Sequence, residues 1–526
     1  KACNASRACD SFAWHSEQIE DWATQCYGIL GNEWSTAAED GIVSGRGPHS
    51  EGGAYVFGAG GNQGSDGNDE AAEWFIEGII DELDAPNEYF YDAETQLLYL
   101  MFNGTGTPAS EIVVPSLANL FDISGTQSSP VRNVTIEGLT ITENRPTFME
   151  PRGTPSGGDW ALERQGAIRV EGSESTAIKN CLFTRLDTNA ISINGYNRHA
   201  VVDKNEFVWL GQNAITSWGR ADKNDGRSGN VPLYSRITNN LAHEIGHIQK
   251  QSSFYFQAET ALATIENNIV FNIPRAAINF NDGFGGGAEV AHNLLFNTCR
   301  ESGDHGAFNS WDRLPYITTI NDGSPSTVPK RNNVHNNFIV ANYAADGGCL
   351  DNDDGSSYYD IHHNFCMYGG HKQNFDGHSK RSFGNIHVHP QVYGTKCIDE
   401  EAEGWGFGTS GPLGLPPKGY AEEYTDNICI LPKAGDPYLV SQGGDLQDRT
   451  DFVNGMVSRN NTIYIPGGDA ESVVTVGQRR VSFAEFQKLG FDTASKLIPG
   501  SPSTEQITSW AEELLGLQRG AATIFI

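Results

Sequence analysis

Acidic, amide and aromatic side chains are concentrated in three segments of this 526-residue chain. The segments cover residues 249–259, 279–313 and 351–378, and each contains carboxylates close to cationic side chains. Carboxyl groups that lie near one another raise each other's pKa, so one can stay protonated near neutral pH while its neighbour is ionised. Such a pair can supply both an acid and a base to one reaction.

Asp304 and Asp354 are the predicted catalytic pair, with Asp351, Asp353 and Asp376 as alternatives. When a glycosidic bond is cleaved, one carboxyl group protonates the leaving oxygen, and the other attacks the sugar or activates water. Side chains in the same segments are predicted to bind sugar hydroxyls or to stack on sugar rings: Lys250, Tyr255, Gln257, Asn281, Arg300, His305, Phe308, Trp311, Arg313 and Asp376.

The same acidic residues also have structural interpretations. Asp304 follows Gly303 and Asp354 precedes Gly355, so either aspartate could simply form a turn. The run from Asp351 to Asp354 could instead hold a structural calcium ion, because calcium prefers oxygen ligands. Apart from that calcium ion, we expect no cofactor and no metal in the site.

A zinc-protease pattern, H-E-x-x-H, occurs at 243–247. Zinc chemistry needs a helix that places both histidines on one face. Here the motif follows Asn239 and Asn240 and leads into a strand-like segment, and Gly246 disfavours a helix. We therefore predict that His243 and His247 lie in extended or turn backbone and bind no zinc.

The charge of the chain limits its partners. The formal net charge is −31, from 35 Lys and Arg against 66 Asp and Glu. Such a field repels nucleic acid and anionic membrane surfaces, so a neutral or weakly charged polysaccharide or oligosaccharide is the better ligand. No apolar run reaches the roughly 18–20 residues that cross a bilayer, so we expect no membrane insertion.

The cysteines and sequons favour a secreted, extracellular glycoprotein. Nine cysteines occur without a CxxC pair, which indicates disulfides in an oxidising compartment, with one cysteine left over. The chain starts at Lys1, as expected for a processed form. Sequons at Asn4, Asn103, Asn133 and Asn460 permit glycosylation.

A repeat defines the predicted fold. An asparagine followed by a short apolar strand recurs at intervals often near 25 residues, at Asn133, Asn180, Asn205, Asn240, Asn268, Asn293, Asn337, Asn364, Asn385, Asn427 and Asn461. Periods of this length are typical of solenoids or propellers, and propeller signatures are absent. Asparagine tolerates left-handed backbone and can bond its equivalent in the next coil. The repeat therefore predicts an all-β, right-handed parallel β-helix.

Regions of different character flank the repeat. Residues 1–128 form a predicted N-terminal β-rich capping region, in which 70–84 could be helical and 89–102 reads as a hairpin. Residues 129–470 form the β-helix. Residues 471–526 form a helical cap with helices over 481–490 and 504–515. Solenoids need such caps because their end coils expose apolar surface.

Four segments carry a resemblance to a known family: KQSSFYFQA (250–258), PRAAINFNDGFGGG (274–287), RESGDHGAFNSWDR (300–313) and DNDDGSSYYDIHHNFCMYGG (351–370). They resemble the β-helix proteins of glycoside hydrolase family 141, over about residues 70–400, including ELDAPNEYFYDAETQLLYL (82–100). The stretch FAEFQKLGFDTAS (483–495) is similar to a tail of β-helix glycosidases. The resemblance implies a fucosidase or xylanase type of activity, with catalytic carboxylates at Asp304 and at Asp351 to Asp354.

Three functions are compatible with these patterns. The first is a secreted glycoside hydrolase acting on a cell-wall or matrix polysaccharide. The second is a polysaccharide lyase or epimerase using Lys250, Arg300 and Arg313 as cations. The third is a non-catalytic, structural or carbohydrate-binding protein of an extracellular-matrix assembly. For the first, we expect Asp304 and Asp354 to project from adjacent coils with carboxyl groups about 5–10 Å apart, in a groove that Lys250, Gln257 and Asn281 also line.

Overall fold

A computed structural model describes the chain from residue 78 to residue 526, together with the backbone of five earlier strands. The description leaves out residues 93, 107, 109–111, 148–161, 221–227, 282–284, 302–304, 312–329, 341–347, 354, 374–376, 391–395, 401–420, 442–455, 469–470, 472 and 477–478. The chain divides into two compact units, Lys1–Val114 with Gly157–Ala161, and Pro115–Ser156 with Leu162–Ile526.

The first unit contains short antiparallel strands. Its strands are β1 (Ser11–His15), β2 (Ser35–Glu39), β3 (Ile42–Arg46), β4 (Tyr55–Ala59), β5 (Glu73–Glu77), β6 (Tyr89–Asp92) and β7 (Leu97–Leu100). Strands β6 and β7 form the predicted hairpin. The helix predicted over 70–84 is wrong, because β5 pairs with β4 and only Ile80–Glu82 forms a 3-10 turn. The sequence Trp-Phe-Ile inside β5 consists of residues that favour strands, which explains the difference.

The second unit is a parallel β-helix built from three long sheets. Sheet one contains β8 (Phe121–Ser124), β9 (Val131–Arg132), β12 (Ile168–Glu174), β15 (Ile191–Arg198), β18 (Ile215–Trp218), β19 (Pro232–Leu233), β22 (Tyr255–Ala258), β25 (Ile278–Asn281), β28 (Phe308–Trp311), β31 (Leu350–Asn352), β34 (His371–Gln373), β37 (Ile398–Glu400), β40 (Leu439–Ser441), β43 (Val474–Val476) and β44 (Arg479–Val481). All of its pairings are parallel except that between β43 and β44.

Sheets two and three complete each coil. Sheet two contains β10 (Thr135–Glu137), β13 (Ala177–Lys179), β16 (Val201–Asp203), β20 (Arg236–Thr238), β23 (Thr264–Glu266), β26 (Glu289–Ala291), β29 (Asn332–His335), β32 (Tyr359–His362), β35 (Arg381–Phe383), β38 (Glu422–Thr425) and β41 (Met456–Arg459). Sheet three contains β11 (Thr140–Thr142), β14 (Leu182–Leu186), β17 (Glu206–Leu210), β21 (Leu241–His243), β24 (Ile269–Phe271), β27 (Leu294–Phe296), β30 (Phe338–Val340), β33 (Phe365–Met367), β36 (Ile386–Val388), β39 (Ile428–Ile430), β42 (Thr462–Ile465) and β45 (Lys496–Pro499). The predicted parallel β-helix is thereby confirmed.

Strand alternation places the core inside the coils. Ile278 and Phe280 of β25 lie in the main apolar cluster, together with Val290 of β26 and Leu295 of β27. Successive side chains of a strand point to opposite faces, so Asn279 points away from that core. The same parity passes from strand to strand along sheet one, because neighbouring strands pair in register.

An asparagine ladder fixes one corner of the coils. Asn293 is typical: its Oδ1 accepts hydrogen bonds from the backbone N–H and the Nδ2 of Asn268, both at 3.0 Å. Its Nδ2 donates to the carbonyl of Ile265 at 3.0 Å and to Oδ1 of Asn337 at 2.9 Å. The ladder comprises Asn205, Asn240, Asn268, Asn293, Asn337, Asn364, Asn385, Asn427 and Asn461.

Two of the predicted asparagines lie outside the ladder. Asn180 is one residue too early, and the next residue, Cys181, takes the ladder position by donating its backbone N–H to Oδ1 of Asn205 at 3.0 Å. Asn133 lies at the corner between sheets one and two. Both have left-handed backbone, with φ of 52° and 56°. Left-handed backbone and hydrogen bonding to the next coil thus belong to neighbouring residues at the ladder corner, not to one asparagine.

The two C-terminal helices play different roles. Helix α1 (Phe483–Lys488) buries Phe483 and Phe486 against Leu439, Val474 and other side chains at the end of the core, as expected for a cap. Helix α2 (Thr504–Leu515) begins after its N-cap, Ser503, whose side chain accepts a hydrogen bond from the backbone N–H of Gln506. It buries Ile507 and Ala511 in a separate apolar cluster formed by the outer side of sheet three, so the prediction that it caps the coil end is wrong. The second cluster contains Phe338, Val340, Phe365, Met367, Ile386, Val388 and Ile430.

Candidate functional site

The outer face of sheet one carries a column of polar side chains. Asn279, Asn309, Asp351 and Lys372 stand in register on the consecutive strands β25, β28, β31 and β34. Adjacent strands lie about 4.8 Å apart, so these side chains are direct neighbours. Each is at most 1% exposed. Such burial is unusual for the charged residues Asp351 and Lys372, and it requires that their charges be compensated.

Two carboxylates share one ammonium group at this face. Nζ of Lys372 lies 3.5 Å from Oδ2 of Asp351 and 3.4 Å from Oδ1 of Asp353. Asp353 lies two residues after Asp351, immediately beyond the end of β31, and its backbone N–H donates to the carbonyl of Ser310 at 2.8 Å. The strand pairing thus anchors Asp353, and its carboxylate shares a counter-ion with that of Asp351.

A buried histidine and arginine adjoin the carboxylates. Nε2 of His305 lies 3.9 Å from Oδ2 of Asp353 and 2.7 Å from Nη2 of Arg275. Burial and the positive charge of Arg275 lower the pKa of His305 well below its ordinary value. Arginine only donates hydrogen bonds, so the neutral imidazole of His305 accepts one from Arg275. We call Asp351, Asp353, Lys372, His305 and Arg275 the carboxylate cluster.

An amide and aromatic column runs beside the cluster. Asn281 and Trp311 pair directly between β25 and β28, and both belong to the outer face of sheet one by strand alternation. In the neighbouring column, Nδ2 of Asn309 donates to Oδ1 of Asn279 at 2.7 Å. Of the predicted sugar-binding residues, Asn281, His305 and Trp311 are therefore near the acidic run.

Lys250 and Arg300 are each matched by a carboxylate. Nζ of Lys250 lies 2.7 Å from Glu301, and Nη1 of Arg300 lies 3.9 Å from Glu244. Both pairs are partly exposed, so they contribute little net charge for binding an anionic ligand. The lyase alternative depends on the positive charges of Lys250, Arg300 and Arg313, and two of these charges are neutralised by neighbouring carboxylates.

Three predicted sugar-binding residues instead face the interior. Tyr255 pairs with Ile278, its ring packs against Phe280, and its hydroxyl donates to Oε1 of Gln257 at 3.0 Å. Phe308 lies in the same apolar cluster. The prediction of an outer groove for Tyr255, Gln257 and Phe308 is therefore corrected, since their strand positions share the parity of the core residues.

Other predicted residues lie outside the described part of the chain. These are Asp304, Asp354, Asp376 and Arg313. The register nevertheless pairs Asn309 with Asp351, so the strands that follow Asp304 and precede Asp354 belong to adjacent coils. The expectation of adjacent coils is met for these strands, and the separation of the Asp304 and Asp354 carboxyl groups stays a prediction.

Sequence reasoning left out four residues of this face. Lys372, Asn279 and Asn309 were not proposed as site residues although they lie in the polar segments, and Arg275 lies four residues before the second segment. The alternation of side chains along the strands could have indicated three of them. Phe308, Leu350 and His371 are paired at inward positions, and Asn309, Asp351 and Lys372 each come one residue later. A single linear sequence does not give that alignment directly, because the coils differ in length.

The H-E-x-x-H segment forms no helix. His243 ends β21 and stacks on Phe271 with ring centroids 4.8 Å apart, while His247 stacks on Trp209 at 5.1 Å. The predicted extended and turn backbone is confirmed. Within the described residues, no group of three or more His, Cys, Asp or Glu side chains is arranged to hold a metal ion. Zinc or calcium binding itself stays to be measured.

The predicted sequons are exposed where they are described. Asn103, Asn133 and Asn460 are on the surface, and Nδ2 of Asn460 donates to Asp426. Asn4 lies outside the described residues. Glycosylation stays a prediction. One disulfide, Cys397–Cys429, links the wall of the β-helix, and no helix among the described residues is both long and apolar enough to cross a bilayer.

No protein-family model matches the chain, and no curated protein matches it either. Three solved structures are similar. One is titled "Glycoside hydrolase", with 13% identity, a TM-score of 0.48 and coverage of 67% of this chain and 64% of that one. A complex of XylC with xylose has 10% identity, a TM-score of 0.33 and coverage of 88% and 59%.

The third similar structure is DFA-IIIase from Arthrobacter chlorophenolicus A6 with DFA-III, at 12% identity, a TM-score of 0.27 and coverage of 74% and 73%. The chain thus spans less than two thirds of the length of the first two structures. Similarity at this level does not identify a reaction for this chain, and the resemblance to glycoside hydrolase family 141 stays a prediction.

Proposed function

We propose that this protein is a glycoside hydrolase and that the carboxylate cluster is part of its active site. The observation that supports this most directly is the placement of Asp351 and Asp353, two carboxylates within 3.5 Å of one buried ammonium group on the outer face of sheet one. Burying this much charge costs stability, and buried ionisable groups with specific charge partners cluster at functional sites. The net charge of −31 favours a neutral or weakly charged polysaccharide as the substrate.

The cluster suggests a division of roles. Lys372 supplies positive charge next to Asp351 and Asp353, so these carboxylates suit the anionic role of nucleophile or base. The proton donor would then be Asp304 or Asp354, which lie close in sequence to β28 and β31. Trp311 follows Ser310, whose carbonyl accepts a hydrogen bond from the N–H of Asp353, and aromatic rings are suited to stack on the apolar faces of sugars.

The first experiment measures hydrolysis directly. The purified chain is incubated with aryl fucosides, aryl xylosides and xylan, and released aryl groups or reducing ends are measured. We expect activity on at least one of these neutral substrates. Asp304→Asn, Asp351→Asn, Asp353→Asn and Asp354→Asn are then compared, and loss of a catalytic carboxylate should lower kcat by about 10²–10⁴-fold.

Asp122→Asn is the matched control. Asp122 lies on β8 in the same outer column as Asp351, reached through seven successive parallel pairings, about 34 Å away. It forms an ion pair with Arg169 at 2.9 Å. This variant should keep full activity. Wild-type turnover in all four Asp→Asn variants at positions 304, 351, 353 and 354 would refute the proposed mechanism, provided that circular dichroism shows them to be folded.

A polysaccharide lyase is the second candidate, and one observation favours it. Lys372 is a buried cation beside two carboxylates and Arg275 is a buried cation beside His305, and a lyase needs cationic neutralisation of a uronate together with a base. Lyase products carry a new double bond and absorb ultraviolet light, whereas hydrolysis products do not. Unsaturated products from a uronate polymer, with no hydrolysis of the neutral substrates, would decide for the lyase.

We further propose that the protein acts outside the cell. The Cys397–Cys429 disulfide supports this, because such bonds persist in oxidising compartments. Matrix assembly without catalysis is the remaining proposal. It would be favoured by tight polysaccharide binding that survives every carboxylate substitution, in a chain that releases no product.

A further inference from the structure

Two free cysteines lie at positions equivalent to those of the disulfide. In sheet one, Leu350, His371 and Ile398 pair in register, so the residues before them, Cys349, Gly370 and Cys397, stack at one corner. Hydrogen bonds follow the same order: Cys349 donates its N–H to the carbonyl of Gly370 at 3.0 Å, and His371 donates to that of Cys397 at 2.8 Å.

The second half of each pair also stacks. In sheet three, Cys366 pairs with His387, and His387 pairs with Cys429. Cys349 and Cys366 therefore occupy, two coils earlier, the same two positions that Cys397 and Cys429 occupy in the disulfide. In the intervening coil the two positions hold Gly370 and His387. In the coil of the disulfide, the Cα atoms of these two positions, Cys397 and Cys429, lie 6.1 Å apart.

Local contacts show that the two thiols face each other. Sγ of Cys349 lies 3.9 Å from the carbonyl oxygen of Met367, the residue after Cys366. The Cys349 and Cys366 side chains are hydrogen-bonded, and both residues are fully buried. Elsewhere among the described residues, Sγ of Cys181 lies 3.2 Å from the carbonyl oxygen of Lys179 and Sγ of Cys299 lies 3.5 Å from that of Gly306.

We propose that Cys349 and Cys366 form a second disulfide when the chain folds in an oxidising compartment. The oxidant is a low-molecular-weight disulfide such as glutathione disulfide. One cysteine thiolate attacks it, which forms a mixed disulfide and releases one glutathione thiolate. The second cysteine thiolate displaces the other glutathione. Two protein thiols are thereby oxidised to one S–S bond, one glutathione disulfide is reduced to two glutathione thiols, and no other electron acceptor is needed.

Burial sets when this reaction can occur. Burial raises the pKa of the Cys366 thiol, so little thiolate is present in the folded chain. Oxidation therefore accompanies folding, before the coils close. The bond would join two cysteines with a sequence separation of 17 (349 to 366), and the loop it closes contains Asp351 and Asp353. It would hold the start of the acidic segment, at the beginning of β31 in sheet one, to β33 in sheet three.

Peptide mapping of the full chain tests the bond. The chain is refolded in glutathione buffer, alkylated in denaturant without reduction, digested and analysed by mass spectrometry. We expect a cross-linked peptide pair containing Cys349 and Cys366 in addition to the pair containing Cys397 and Cys429. Cys181 and Cys299 should be alkylated. Alkylation of Cys349 and Cys366 in a sample where Cys397–Cys429 is intact would overturn the proposal.

A stability measurement gives a second test. Reduction should lower the Tm of the wild type more than that of Cys349→Ala/Cys366→Ala, by roughly 3–6 °C for a loop of this size. Cys299→Ala is the control and should respond to reduction like the wild type. An equal response of the wild type and the double variant to reduction would contradict the second bond even if the variants are less stable overall.

Discussion

Replacing one asparagine of the ladder should destabilise the β-helix strongly. In Asn293→Ala, the backbone N–H and Nδ2 of Asn268 lose the oxygen that both contact at 3.0 Å. The carbonyl of Ile265 also loses its donor, and the side chain of Asn337 loses one of its two donors. The side chains of Asn268, Asn293 and Asn337 are at most 1% exposed, so bulk water does not reach these groups in the folded chain.

The structure allows an estimate of the size of this effect. Leaving one buried donor or acceptor without a partner costs about 1–3 kcal/mol. Two donors and one acceptor are affected here, and partial relaxation should recover some of the loss. We therefore expect the free energy of unfolding to fall by about 3–6 kcal/mol, a large part of the 5–15 kcal/mol typical of a native protein.

Denaturant titration followed by circular dichroism and tryptophan fluorescence measures this change. Asn333→Ala is the control, because the Asn333 side chain also bonds through both its amide nitrogen and its amide oxygen, to Glu289 at 2.9 Å and to His362 at 2.8 Å. It lies on the partly exposed side of sheet two, so water can replace those bonds, and the loss should stay below about 1 kcal/mol. If the two substitutions cost the same, the ladder is not a major source of stability and the reasoning fails.

Three further predictions address charge and packing. Lys372→Met should abolish activity and lower stability by about 3–5 kcal/mol, because two buried carboxylates lose their shared cation, whereas Lys372→Arg should be milder in both assays. Burial raises the pKa of Asp492 to about 7, so stability should fall by up to about 1.4 kcal/mol per pH unit between about pH 4 and 7 and then level off. Asp492→Asn should make the pH dependence of stability shallower by this amount in thermal melts, while burial of Glu422, whose pKa is also raised to about 7, keeps its own part of the slope. Ile507→Asp should detach α2 and expose residues 500–526 to protease, while Ser509→Asp, on the exposed side of the helix, should not.

The β-helix could be predicted from the sequence because one residue type, asparagine, occupies the same corner in successive coils. Each ladder asparagine is directly followed by a strand of sheet three, so the repeat locates those strands to within a residue. Asn133 and Asn180 show the limit of this reasoning. Asparagine also suits left-handed corners that make no ladder bond, and only the pairing of Cys181 with Asn205 distinguishes the two roles.

The site could be predicted only in part, for a different reason. Polar composition indicated the segments, but inward or outward direction depends on parity, and a shift of one residue reverses it. Tyr255 and Gln257 were assigned to the groove because polar and aromatic residues surround them, yet they share the parity of Ile278 and Phe280. Lys372 was not predicted as a site residue because its partner, Asp351, lies one full coil earlier in the sequence.

The ladder has a consequence for how this chain can vary. Successive ladder asparagines are separated by 35, 28, 25, 44, 27, 21, 42 and 34 residues, yet the hydrogen bonds that join them keep the same partners and nearly the same lengths. The longest separation exceeds the shortest by 23 residues (44 against 21). Register is therefore insensitive to coil length, and extra residues are tolerated wherever they leave the corner intact. Loops between two ladder positions should therefore be replaceable without a change in the register of the coils. The scaffold is thus suited to present a foreign loop on a chosen coil.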